Sequence, residues 1–128
     1  MTFTITGRAE SLYGNVRDPL SDAIERANRY VAAGADCIFI PGLKTLDEIS
    51  ATAAAVNAPF SIGIGTGGSD YTVAELGEAG VRRISTGGAV PRAIYSSIDS
   101  IGREMLAGTF GFMSEIMSDT EVETLFET

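Results

Sequence analysis

Residues 34–42 read Gly34-Ala35-Asp36-Cys37-Ile38-Phe39-Ile40-Pro41-Gly42, and this stretch decides the fold. A glycine closes whatever precedes it, four apolar residues follow without a break, and Pro41-Gly42 stops the run. A short apolar run between turn residues suits a strand buried in a parallel sheet. The same form recurs outward from it. Phe60-Ser61-Ile62-Gly63-Ile64 lies between Pro59 and Gly65, and Val81-Arg82-Arg83-Ile84-Ser85-Thr86 runs from Gly80 to Gly87-Gly88. Upstream, Phe3-Thr4-Ile5-Thr6 alternates apolar residues with threonine and predicts a first strand.

The intervals predict helices. Residues 19–33 carry Leu20, Ala23, Ile24, Ala27, Tyr30 and Val31 as a helical stripe. Asp18 fits the N-cap, Pro19 the first helical position and Gly34 the C-terminal cap. Residues 45–56 place Leu46, Ile49, Ala53 and Val56 on one face, and Thr45 with Glu48 reads as a capping box. Residues 72–79 repeat that form with Thr72 and Glu75 and close at Gly80. Residues 91–107 hold Ile94, Ile98, Ile101 and Met105 at helical spacing, and residues 113–126 predict a last helix with an acidic outer face. Strand and helix alternate four times, which predicts an α/β fold of parallel βα units. Four such units make half of an eight-stranded barrel or a small open sheet. We expect one domain over residues 1–128.

Composition narrows the chemistry. The chain of 128 residues has no His and one Cys, so imidazole relays, imidazole metal ligands and an intrachain disulfide are excluded. A formal charge of −8 makes nucleic acid and anionic membrane surfaces poor partners. Apolar runs are too short for a membrane span, and the N-terminus has neither a basic region nor an apolar signal core. Cytoplasmic residence is the expectation.

In parallel α/β folds the carboxyl ends of the strands form the active face. Arg8 and Glu10 fall just past the first predicted strand, two residues apart and so on one side of an extended segment. A guanidinium there can clamp a carboxylate or phosphate, with Glu10 orienting it or helping to hold a cation. The same pair can equally be a structural ion pair closing the barrel end. Gly65, Gly67 and Gly68 follow the third strand, and Gly87 and Gly88 the fourth. Their backbone amides can cradle phosphate, or the glycines can serve only the turns. Cys37 starts its strand at the opposite end and reads as a buried, inert thiol. Asp119, Glu121, Glu123 and Glu127 have no ligand spacing and read as a solvated helix face.

Several blocks resemble the isocitrate lyase / phosphoenolpyruvate mutase family. They are residues 3–11, Pro19-Leu20-Ser21-Asp22-Ala23-Ile24-Glu25-Arg26-Ala27, residues 34–42, and Gly80-Val81-Arg82-Arg83-Ile84-Ser85-Thr86-Gly87-Gly88-Ala89 with the helix behind it. The resemblance spans essentially the whole chain. It implies half of a (βα)8 TIM-type barrel, namely the last four βα units plus C-terminal helices. It implies Mg²⁺-dependent lyase or phosphonomutase chemistry on a small α-oxo carboxylate or phosphonate, through an enolate-like intermediate. Gly7-Arg8-Ala9-Glu10-Ser11 falls where the family has Ala-Arg-Thr-Asp/Glu-Ala, so Arg8 matches the substrate-binding arginine and Glu10 the acid after it.

The departures from the family pattern are specific. The metal-anchoring aspartates, their acidic partner and the mobile loop with the catalytic cysteine belong to the family's other half. Some lyases have Glu where this chain has Pro41-Gly42, and Asn within the stretch held here by residues 63–67. Magnesium is therefore expected for an intact family enzyme and not for this chain alone, which is expected to be inactive. The alternative is a non-catalytic α/β module that binds a small anion, a phosphate or a partner chain. A half-barrel has two open strand edges and one uncovered inner face, so a homodimer or higher oligomer is expected.

Overall fold

Asp36 fixes where the sheet begins. In the computed structural model, which describes residues 3–65 and 71–127, the Asp36 carboxylate accepts the Ile5 N–H at 2.8 Å and the Asp36 N–H donates to the Ile5 carbonyl at 2.8 Å. Strand pairing starts one residue later. The strands are β1 (Thr6–Arg8), β2 (Cys37–Phe39), β3 (Phe60–Gly63) and β4 (Val81–Ser85), all parallel and in the order β1-β2-β3-β4. The first strand is thus not residues 3–6, as its alternation predicts. Among the described residues β1 pairs with β2 alone, and β2 starts at Cys37, which lies opposite Thr6. Arg8 is the last residue of β1 rather than the first beyond it.

The helices are α1 (Pro19–Ala32), α2 (Leu46–Ala55), α3 (Val73–Glu78), α4 (Ala89–Leu106) and α5 (Asp119–Thr124), with 3₁₀ turns at Ser11–Tyr13 and Gly111–Ser114. Asp18 caps α1 by accepting the Ser21 N–H at 3.4 Å, and Pro19 stands in the first turn. Gly34 follows with φ +104°, a conformation that side chains disfavour. Thr45 with Glu48 and Thr72 with Glu75 form the two expected capping boxes. A third, Ser118 with Glu121, restarts the helix at Asp119. This divides the expected helix over residues 113–126 into a 3₁₀ turn and α5, because Ser118 competes for the backbone N–H groups that a continuous helix would use.

The chain falls into two units, Met1–Ala89 and Val90–Thr128. In the first, a strand order that never reverses is that of a singly wound barrel, whereas an open doubly wound sheet changes direction. One face of the sheet packs on the helices. Ile38, Ile40, Phe60 and Ile62 cluster with Ala23 and Ala27 of α1, Ile49 of α2 and Leu76 of α3. Each large apolar side chain buried this way contributes roughly 2 kcal/mol. Gly7 belongs to this face: a Cβ there would lie 2.9 Å from the Cβ of Tyr30, so only glycine lets α1 approach β1 so closely. In the second unit, α4 has no buried residue along its 18 positions, and Ile94, Ile98 and Met105 of its expected apolar stripe are exposed. No described helix is long and apolar enough to cross a membrane.

Candidate functional site

Alternation along the strands assigns the other face of the sheet. Gly7 faces α1, so Arg8 projects to the opposite side. The contact of Arg8 with Phe39 agrees: its guanidinium carbon lies 5.1 Å from the centre of the Phe39 ring, within cation–π range. The register then continues across the sheet as Arg8, Phe39, Ser61 and Arg83. One step toward the carboxyl ends, Gly63 pairs with Ser85, and a Cβ at Gly63 would meet the Phe39 ring at 3.2 Å and the Ser85 hydroxyl at 3.6 Å. This face is therefore polar or small apart from Phe39. Ser61 is buried and donates to the Ile38 carbonyl at 3.0 Å, whereas Arg8 and Arg83 are exposed.

Glu10, which immediately precedes the Ser11–Tyr13 turn, forms an ion pair with Arg8. The two expected partners are thus brought together at the carboxyl end of β1. Both side chains remain more than half exposed, so the pair alone contributes little to stability. Its effect is orientation: Glu10 and Phe39 hold the guanidinium over the open face of the sheet. Next in the chain, the Ser11 hydroxyl donates to Asp22, which also accepts from Arg26 at 2.6 Å. The Ser11 bond first, and Arg26 second, hold the Asp22 carboxyl below its ordinary value. This cluster ties the turn after β1 to α1 and so fixes the backbone that carries Arg8 and Glu10.

Among the glycines, Gly67 and Gly68 lie outside the described residues. Gly65 is buried, and a Cβ on it would stand 1.9 Å from the Thr86 carbonyl oxygen. Its lack of a side chain lets the backbone after β3 lie against the backbone after β4. Gly87 has φ +52°, and added Cβ atoms at Gly87 and Gly88 would meet nothing within 4 Å. Cys37 is a free, buried thiol. Arg83 escapes a reading of the sequence, because the ladder shifts register between Phe60/Ser61 and Val81/Arg83 and Arg82 is the extra residue. The available signal is two consecutive arginines inside an otherwise apolar strand.

Among the described residues, no group of three or more His, Cys, Asp or Glu side chains could hold a metal ion. Glu10 is engaged by Arg8. The described side chains therefore do not by themselves fit a magnesium site.

A singly wound half of a parallel βα barrel, with an arginine–glutamate pair over its open face, defines the class. The sequence model of the phosphoenolpyruvate phosphomutase family matches residues 1–106, and the chain belongs to that family. A solved protein of the lyase/mutase type from Burkholderia cenocepacia J2315 is 36% identical, with a TM-score of 0.88 over 98% of this chain and 45% of that one. An oxaloacetate decarboxylase of Bradyrhizobium sp. (strain ORS 278) is 29% identical, covering 81% of this chain and 39% of the relative. A phosphoenolpyruvate phosphomutase from Streptomyces platensis subsp. rosaceus shares the fold, with a TM-score of 0.77 at 23% identity over 96% of this chain and 44% of its own. The chain thus spans less than half the length of each of these relatives.

Proposed function

We propose that this chain carries the substrate-anion part of the family's chemistry without the metal part. The reading is a half-barrel that binds a small carboxylate or phosphonate at Arg8 and is inactive by itself. Within a complete barrel, the activity would be lysis or formation of a C–C or P–C bond in a small α-oxo carboxylate, with Mg²⁺ supplied with the other half. The observation that carries the reading is the Arg8 guanidinium, held by Glu10 and Phe39 at the carboxyl end of a barrel strand. Relatives named for oxaloacetate decarboxylation and for phosphonomutase activity support the ligand class. Glu10 orients the arginine and leaves its remaining donors for the ligand. Gly65, Gly87 and Gly88, in the loops after β3 and β4, are proposed to rim the same site.

Oxalate, the smallest dicarboxylate, is the direct probe. Amide chemical shifts followed during an oxalate titration should report binding near residues 7–11. Arg8→Ala should weaken it by about 2 kcal/mol, roughly 30-fold, through loss of paired charge-assisted bonds. Unchanged affinity in that variant would remove Arg8 from the site.

A further inference from the structure

Arg83 is a second cation on the face that Arg8 occupies. The two stand in one register row, separated by Phe39 and Ser61. Three strand spacings of about 4.8 Å put their backbones roughly 14 Å apart. The Arg8 guanidinium already reaches over the ring of Phe39 on the next strand, which shortens the span toward Arg83. Among the described residues, Arg8, Arg26, Arg29 and Arg103 hold carboxylates. The Arg83 guanidinium is exposed and has neither ion pair nor hydrogen bond among the described residues. Its neighbour Arg82 lines a cleft with Asn57, Pro59 and Gly80 at the amino ends of β3 and β4, away from this row.

The charges point to the kind of ligand. Arg8, Glu10 and Arg83 together carry one positive charge, and no described carboxylate is paired with Arg83. A ligand with two separated negative charges would meet a guanidinium at each end. We infer that Arg83 is a binding residue for the distal charge of a small dianion whose proximal carboxylate sits at Arg8. It would make the site select dicarboxylates and carboxyphosphonates over monocarboxylates. This rests on the reading of Arg8 as the anion site.

The test compares succinate with butyrate, which has the same carbon count and one charge fewer, on the full chain by chemical-shift titration. The wild-type chain should bind succinate more tightly. Arg83→Ala should cut succinate affinity about tenfold and leave butyrate unchanged, while Arg8→Ala should weaken both. Arg83→Lys, which keeps the charge and loses the planar fork, should fall between wild type and Arg83→Ala. Dispersion of the amide spectrum establishes folding in each variant. If Arg83→Ala binds succinate as the wild type does and Arg8→Ala does not, the Arg83 inference is overturned and the Arg8 site stands. If the wild-type chain binds neither acid, both readings fall.

Discussion

Arg8 is held by three different forces at once: a strand end, a carboxylate and an aromatic face. None is large, and together they aim one guanidinium. Gly65 shows the opposite economy, since what matters there is an absent side chain. Gly65→Ala would drive a methyl into the Thr86 carbonyl at 1.9 Å, and backbone is the obstacle rather than a flexible side chain. We expect a loss of about 1–3 kcal/mol in urea unfolding, the usual cost of overpacking. Gly88→Ala, where a Cβ would have open space, should fall within about 0.5 kcal/mol of wild type. Equal effects at the two positions would contradict this packing account.

The capping carboxylates set the acid response of the elements. Hydrogen bonds from Thr72 hold Glu75 below its ordinary value of 4.5, and Ser118 does the same for Glu121. Asp22 is lowered from 3.8, chiefly by Ser11. A carboxylate whose folded value is depressed stabilises the folded state above its unfolded value, and this contribution is lost as pH falls through the folded value. Stability should therefore be flat from neutral pH down to about 5 and decline as pH falls further, through the depressed values of Glu75, Glu121 and Asp22. Thr72→Ala should cost about 1 kcal/mol at pH 7 and make the acid decline shallower, checked by urea unfolding at a series of pH values. A decline as steep as in wild type would deny the Glu75 cap its role. Elements with such local signals were legible in the sequence. Asp18-Pro19, Thr45 with Glu48 and Thr72 with Glu75 place three helix starts to the residue. What long-range pairing decides was not legible. The start of β1 depends on where β2 begins, and the face of Arg83 depends on the register shift at Arg82. Ser118 with Glu121 had a local signal too, hidden inside a helical apolar pattern.

At the scale of the whole molecule, the first unit is a sheet whose order and winding are those of a barrel. The chain spans 45% of the most similar solved relative described above. Within the described residues, β1 and β4 each pair on one side only, and a parallel sheet rarely leaves such edges bare. We expect the 128-residue chain to form a homodimer at micromolar concentration, seen by light scattering as twice the monomer mass. A stable folded monomer would contradict that. The proposed reading is an anion site at Arg8 with no metal site among the described residues. Stabilising an enolate-like charge needs a cation or preorganised donors where the charge develops, and groups that act as a unit lose most of the rate when one set is missing. The most direct measurement is consumption of oxaloacetate by the full chain with and without Mg²⁺, repeated with isocitrate, methylisocitrate and phosphonopyruvate. The account predicts no rate above buffer in any of them. A Mg²⁺-stimulated rate abolished by EDTA and by Glu10→Gln would contradict it.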